Sequence, residues 1–286
     1  MHRRRKEMPV NTYTHGHHES VLRSHRQRTA ANSAGYLLPH LEPAATLLDI
    51  GAGPGTITVD LATRVARVTA TEIGEPELAL SRELATARGI DTIEFSVQDV
   101  HRLTFADDSF DIVHAHQVLQ HVADPVVALR EMARVTRPGG IVAARDADYA
   151  GFVWWPPLPE LDEWLRLYRT AARANGGEPD AGRRLLSWAH AAGLTDVTAG
   201  SSTWSYATPE ERVEWGDMWA ERITGSALAR QLTDSGAATT DDLTRIARAW
   251  RSWARDADGW LSIPHGEILI RIPGARSDSE AAVSGR

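Results

Sequence analysis

The chain has 286 residues, with 31 basic and 38 acidic side chains, a net charge of −7 and no cysteine. That length makes one large domain or two small ones and leaves ample chain to bury a core. Without cysteine there are no disulfides, thiolate metal sites or cysteine nucleophiles, and a single lysine, Lys6, excludes Schiff-base chemistry and a phosphate-loop lysine. No apolar run approaches the ~18–20 residues of a membrane span. The basic start Arg3-Arg4-Arg5-Lys6 has no apolar core behind it, as a signal peptide would. The mild acidic excess argues against broad nucleic-acid binding. The expectation is a cytoplasmic protein with no membrane or nucleic-acid partner, a monomer or homodimer. Its Arg- and Ala-rich usage suggests a high-GC bacterial genome, an expectation from composition alone.

Residues 1–12 and 274–286 read as disordered tails. From Ser20 to about Leu41 the spacing of Val21, Leu22, His25 and Arg28 is helical, before Pro39 and Pro43 stop it. Short apolar runs then alternate with helical stretches. Strands are expected at Thr46–Ile50, Arg67–Thr71, Thr92–Val97, Phe110–Ala115 and Ile141–Arg145. Helices are expected after Gly55, from Pro76 to Arg88 and from Pro125 to Thr136. Such alternation with short links implies a parallel sheet with helices on both faces, whose strand carboxyl ends share one ligand-binding edge.

After Asp148 the texture changes. Leu161, Trp164, Leu165 and Tyr168 form a helical stripe, as do residues 181–192. Val197–Tyr206 and Leu261–Ile272 alternate as strands that pair most simply antiparallel at the sheet edge, and the helical residues between them form an insertion above the sheet. The expected division is a tail (1–12), a helical flap (13–40), a core (41–148), a cap with edge strands (149–273) and a second tail (274–286).

The most informative segment is Asp49-Ile50-Gly51-Ala52-Gly53-Pro54-Gly55. Gly51 and Gly53 lack a side chain where the chain must turn sharply and approach a ligand, and the next helix offers unpaired amides. Asp49 inside an apolar strand needs a polar partner. Glu72 ends the second strand 21 residues after Gly51, where a ribose-binding acid is expected, and Gln98-Asp99-Val100 ends the third. Each acid alone is equally readable as a helix cap or a solvated turn. Together they suit ribose hydroxyls, an adenine amino group and an ammonium better than a pyrophosphate. Thr56 stands where the dinucleotide fingerprint requires its third glycine.

These motifs, with Phe110–Val122 and Arg137-Pro138-Gly139-Gly140 in order, resemble those of class I S-adenosylmethionine-dependent methyltransferases, nearest to the ubiquinone/menaquinone-biosynthesis type. The resemblance covers about residues 13–148. It implies a Rossmann-like, seven-stranded, mostly parallel sheet with an antiparallel edge strand, an N-terminal helical flap and a helical cap insertion. It implies S-adenosyl-L-methionine as cofactor and in-line methyl transfer to O, N or C of a small, bulky or aromatic acceptor. By the same resemblance, Gly51 and Gly53 contact the methionine part, with Ala52 between them in the binding set. Glu72 takes the ribose hydroxyls and Ile73 packs on adenine. Asp99 and the Val100 backbone, with Gln98 beside them, read the adenine edge. His116 and Gln117 border the reacting methyl. Tyr13, His25 and Arg28 belong to a flap over the cofactor, Arg28 pairing with its carboxylate.

Two residues are candidates for accepting a proton: His121 after the fourth strand and Asp146 at the end of the fifth. No carboxylate completes a histidine cluster into a metal triad, so no metal is expected. All ten tryptophans follow residue 150; most build the cap's own core, and Tyr149, Trp154 and Trp155 are the candidates for gripping a bulky acceptor. Other readings stay open: a non-methylating enzyme using the pocket for cyclisation or decarboxylation, a regulatory module that only holds the cofactor, and, last, a nicotinamide enzyme.

Overall fold

The computed structural model describes residues 28–274. The expected tails, apart from Gly274, and residues 13–27 of the expected flap lie outside the described residues. Within them the long helix expected to reach Leu41 is broken. One α-helical turn, α1 (Ala30–Ser33), and a separate 3-10 turn at Leu38–His40 form instead, because Thr29 is extended and caps α1, exchanging bonds with Asn32.

The strand–helix alternation follows in full: β1 (Thr46–Ile50), α2 (Thr56–Ala62), β2 (Arg67–Glu72), α3 (Glu75–Ala87), β3 (Ile93–Val97), β4 (Phe110–His116), α4 (Pro125–Val135) and β5 (Thr136–Ala147). Pro sits in the first turn of α3 and α4, where its missing N–H costs nothing, and Asp124 caps α4 through the amides of Val126 and Val127. The five strands are parallel in the order β3-β2-β1-β4-β5. The chain winds outward from β1 to β3 and returns on the other side at β4, so β1 and β4 flank a crevice at their carboxyl ends.

Beyond β5 come β6 (Val153–Trp155), α5 (Pro159–Ala174), α6 (Leu185–Ala191), β7 (Val197–Tyr206), α7 (Pro209–Gly225), α8 (Ala227–Asp234), α9 (Thr240–Arg255) and β8 (Trp260–Arg271). β8 runs antiparallel between β5 and β7. The sheet has eight strands, one more than expected. The extra one, β6, pairs Val153–Trp155 with Ser262–Trp260 on the edge of β8 that β5 uses further along, so it prolongs the β5 lane.

Leu47, Val68, Ala70, Ile112, Ile141 and Ala143 pack under α1 and α2 on one sheet face, whereas Leu48, Ile50, Val113, Ala115, Val142 and Ala144 pack under α4 and α6 on the other. A third cluster stands over the carboxyl edge. It joins α5, α7, α8 and α9 to Ala147, Leu261 and Ile263, near where β5 ends and β8 begins. Trp164 is its centre, meeting Trp219 edge-on at 4.5 Å and Trp250 at 4.9 Å. Thr208 and Thr239 start α7 and α9 with reciprocal caps to Glu211 and Asp242. Among the described residues no helix is long and apolar enough to cross a membrane.

Trp164 is fully buried, so Trp164→Ala should destabilise the chain by about 3–5 kcal/mol through the cavity it leaves. Denaturant unfolding monitored by circular dichroism measures this.

Candidate cofactor site

The turn after β1 is built for close approach. Gly51 has φ +65°, and a Cβ there would stand 2.5 Å from Val118 Cγ2, so only glycine fits. The Ala52 amide donates to the Thr71 carbonyl at 3.0 Å, tying the turn to β2. Asp49, 3% exposed, finds the polar partners its burial demands: it accepts from Thr58 Oγ1 at 2.6 Å and meets His114 Nδ1 at 2.8 Å.

Glu72 closes β2 against this turn. Its Oε1 accepts from the Gly53 amide at 2.7 Å and Oε2 from the Ile73 amide at 3.2 Å. Burial pushes its carboxyl above the ordinary range, against those two amide bonds. Ile73, 70% exposed, forms an apolar surface beside it. At the end of β3, Asp99 accepts from the His101 amide at 2.9 Å and meets its Nδ1 at 2.7 Å. Burial raises that carboxyl, but the His101 bonds outweigh it and leave it below its usual value. Gln98 is occupied with Ser96 and Thr104, its amide donating to both hydroxyls and its carbonyl accepting from the Thr104 amide. Val100 is buried among the apolar residues of the α4 side.

At the end of β4 the backbone is held in an unfavourable state. Gln117 has φ +55°, a conformation that costs a residue with a side chain about 1–3 kcal/mol and persists only where its surroundings enforce it. Its amide donates to the Arg145 carbonyl at 2.7 Å. Its side-chain carbonyl accepts from Arg28 Nη2 at 2.7 Å, and its Nε2 meets His265 Nε2 at 2.9 Å. His265 Nδ1 lies 3.0 Å from the Ile263 carbonyl, which can only accept. The proton therefore sits on Nδ1, Nε2 accepts from Gln117, and the relay runs from Arg28 through Gln117 and His265 to Ile263. A neutral His265 agrees with burial and the Arg145 charge, which hold its ring well below the ordinary value.

The two proton-accepting candidates differ sharply. Burial, with the charge of Arg28, pushes the His121 ring down to about 3, and its Nε2 lies 2.9 Å from Gln120 Nε2. Burial pushes the Asp146 carboxyl up to about 7, against the Gln120 and Leu119 amides and the Arg145 charge. Its Oδ1 accepts from the Gln120 amide at 3.0 Å, whereas Oδ2 is buried with no partner.

The structure thus gathers Arg28, Gly51, Ala52, Gly53, Glu72, Ile73, Gln98, Asp99, Val100, His116 and Gln117 along one sheet edge. Tyr13 and His25 lie outside the described residues. Tyr149 is buried, stacked 4.4 Å from Phe152 and tilted against Tyr168 at 4.2 Å, at the base of the helical cluster. Trp154 packs against that cluster, but Trp155 does not enter the interior: it is 56% exposed, and its carbonyl accepts from Trp253 Nε1 at 3.0 Å. Neighbours on a strand point to opposite faces, so the pair cannot act together. Tyr36, Trp204, His265 and Glu267 stand in segments that no motif marks, and Arg145 ends an expected strand. The signal for Arg145 was the one used for Asp49, a charge inside an apolar strand.

A methyltransferase-domain family matches residues 48–144. An uncharacterized methyltransferase of Schizosaccharomyces pombe is 33% identical over 271 residues, covering 91% of this chain and 96% of its own length. A demethylmenaquinone methyltransferase of Mycolicibacterium paratuberculosis is 32% identical over 192 residues, covering 65% of this chain and 74% of its own. Among solved structures, phosphoethanolamine N-methyltransferase 2 of Haemonchus contortus in complex with S-adenosyl-L-methionine has a TM-score of 0.53 at 18% identity, over 83% of this chain and 51% of that one, a likeness of fold. Taken with a likeness that runs almost end to end through the first of these relatives, the glycine turn and acid-lined edge make the chain a member of the class I S-adenosylmethionine-dependent methyltransferases, with S-adenosylmethionine as its cofactor.

Proposed function

We propose that this methyltransferase acts on a small, bulky or aromatic acceptor enclosed between the carboxyl edge of the sheet and the helical cluster of α5 and α7–α9. The observation that carries the reading is that cluster: an apolar, tryptophan-centred roof, joined to the sheet through Ala147, Leu261 and Ile263, where β5 ends and β8 begins. A roof of that kind excludes water from a reaction that hydrolysis would short-circuit.

The residues present fit the cofactor. Gly51 leaves a cradle that a Cβ would fill, Glu72 is already aimed by the Gly53 amide, and Ile73 offers an exposed apolar face. In this reading Gly51, Ala52 and Gly53 hold the methionine part, Glu72 the ribose, and Ile73, Asp99 and Val100 the adenine with Gln98 bracing their loop. Arg28 pairs with the carboxylate while Gln117 fixes its position, and His116 borders the reacting group. When bound, S-adenosylmethionine supplies an electrophilic methyl on a sulfonium. The chain's own task is to orient and enclose, and proximity alone is worth about 7–11 kcal/mol of such a barrier.

Where an acceptor proton must be taken up, Asp146 is better suited than His121. A base works best with a pKa near the working pH, and a ring held near 3 is too weak. Tyr149 and Trp154 line the roof; the exposed Trp155 contributes through its backbone.

Titration calorimetry with S-adenosylhomocysteine, with NADH as control, tests the cofactor site. Saturable binding of the first alone is expected. Glu72→Ala and Asp99→Ala should each weaken it by about tenfold or more, the loss of a charged hydrogen bond, without lowering the melting temperature by more than a few degrees. Normal binding by both variants would mean that the nucleoside lies elsewhere.

Asp146 makes a separate prediction. Its carboxyl is raised from 3.8 to about 7 by burial, so its contribution to stability is fully present below about pH 4 and lost as pH rises through 7, by up to about 4 kcal/mol. Asp146→Asn, which keeps the Gln120 bond without a charge, should lack this fall. Denaturant midpoints between pH 5 and 8 check it, and parallel profiles for the two proteins would refute the buried-acid account.

A further inference from the structure

Three side chains behind Gln117 carry buried polar atoms that the fold leaves without hydrogen-bond partners. Arg145 is 1% exposed. Its Nε donates to Ser202 Oγ at 3.0 Å and to Glu267 Oε1 at 3.2 Å, but Nη1 and Nη2 are buried and bond to nothing. Both ring nitrogens of His116 and the hydroxyl of Tyr36 are in the same condition. The strand register puts His116 beside Arg145, and Arg145 beside Glu267, on one face of the sheet. Tyr36 packs on that face, against the cluster that holds Ala143, two residues before Arg145 on β5.

A purely structural account of this layer fails on cost. A buried donor with no acceptor bears its whole desolvation penalty, and apolar side chains would fill the same space more cheaply. Other buried atoms without a partner, such as Ser81 Oγ, Trp164 Nε1 and Trp250 Nε1, lie elsewhere in the fold, but three side chains converge in this layer.

We infer that this layer receives a carboxylate of the methyl acceptor, gripped by Nη1 and Nη2 of Arg145, with the Tyr36 hydroxyl donating beside it and His116 against the rest of the molecule. The chemistry selects the ligand class. Glu267 and Ser202 hold Nε and so fix the guanidinium plane, which leaves the paired terminal nitrogens to match two oxygens in one plane. Trp204 lies over that plane, its ring centre 4.8 Å from Cζ, and packs against His116 at 5.7 Å and His265 at 4.4 Å, so the walls are flat and aromatic. A neutral imidazole at His116 offers one donor and one acceptor. A neutral acceptor would leave the Arg145 donors as they are now. Residues 28–36 lie across the layer, held by Trp204 Nε1 donating to the Asn32 carbonyl at 2.7 Å and by Arg28 on Gln117. Entry requires that cover to be displaced.

The identification of the anion's owner as the methyl acceptor rests on the function proposed above; the anion site does not. The test is calorimetry on the whole chain, with and without S-adenosylhomocysteine, using benzoate, cinnamate and hexanoate against their neutral amides. At least one acid should bind about tenfold or more tightly than its amide. Arg145→Lys keeps the charge facing Glu267 but loses the fork, and should abolish that preference while S-adenosylhomocysteine affinity stays within about twofold. Tyr36→Phe should weaken the acid yet melt no lower than the parent, because the hydroxyl it removes bonds to nothing. Equal binding of acids and amides, no binding of any acid, or full acid affinity in both variants would each overturn the site. Loss of S-adenosylhomocysteine binding in the parent chain, with acid preference intact, would count against the cofactor reading instead.

Discussion

A carboxylate withdrawn from water at the centre of the sheet holds the cofactor edge together. Asp49 sits on β1, the strand from which the chain winds both ways, and its two oxygens reach Thr58 on α2 and His114 on β4. One side chain thereby fixes the helix after the glycine turn and the strand across the crevice. An apolar residue would pack there, but it would leave His114 Nδ1 without a partner and α2 free to shift on the sheet. The glycine turn is useful only because its two walls are fixed relative to each other. Glu72 then aims at the turn through Gly53 from a strand whose register with β1 is already set.

The same face becomes steadily more polar toward the carboxyl edge. Leu47, Ala70, Ile112 and Ala143 give way to Asp49, His114, His116, Arg145, Glu267 and His265. On the opposite face Ala115, Val142, Ala144 and Ile268 stay apolar, up to the buried Asp146 near the end of β5. Most of the polarity thus lies on the face under residues 28–36. Strain is concentrated there too, at Gln117, whose left-handed backbone is offset by the relay from Arg28 to Ile263. A fold that needed only stability would have no use for this arrangement.

The helical cluster solves a different problem. α5, α7, α8 and α9 bury Trp164, Trp219, Trp250 and Trp253 completely, so these four of the ten tryptophans support the roof rather than face a ligand. Trp204 departs from this pattern. It is on β7, the strand beside β8, and carries two guanidinium groups over its ring at 4.8 and 5.7 Å. Roof and polar layer are joined by the entry of β8, since Leu261 and Ile263 belong to the roof while His265 and Glu267 belong to the layer.

By itself the sequence determined what depends on neighbouring residues: the strand–helix alternation, the glycine turn, Asp49 as a buried acid, and Glu72 and Asp99 at strand ends. Each is a short-range pattern, and parallel strands joined by right-handed crossovers carry it to one edge without further information. Boundaries read from spacing alone were weaker. The helix expected to Leu41 gave way to a capped turn at Thr29, and the three residues of β6 are too short to show a period. Only the tertiary structure decided that Tyr36, His116, Arg145, Trp204, His265 and Glu267 form one layer. They come from distant segments, and their meeting depends on β8 running antiparallel between β5 and β7 in one register. A shift of one residue would turn every one of the β8 side chains to the other face, and no local pattern in the chain encodes that choice.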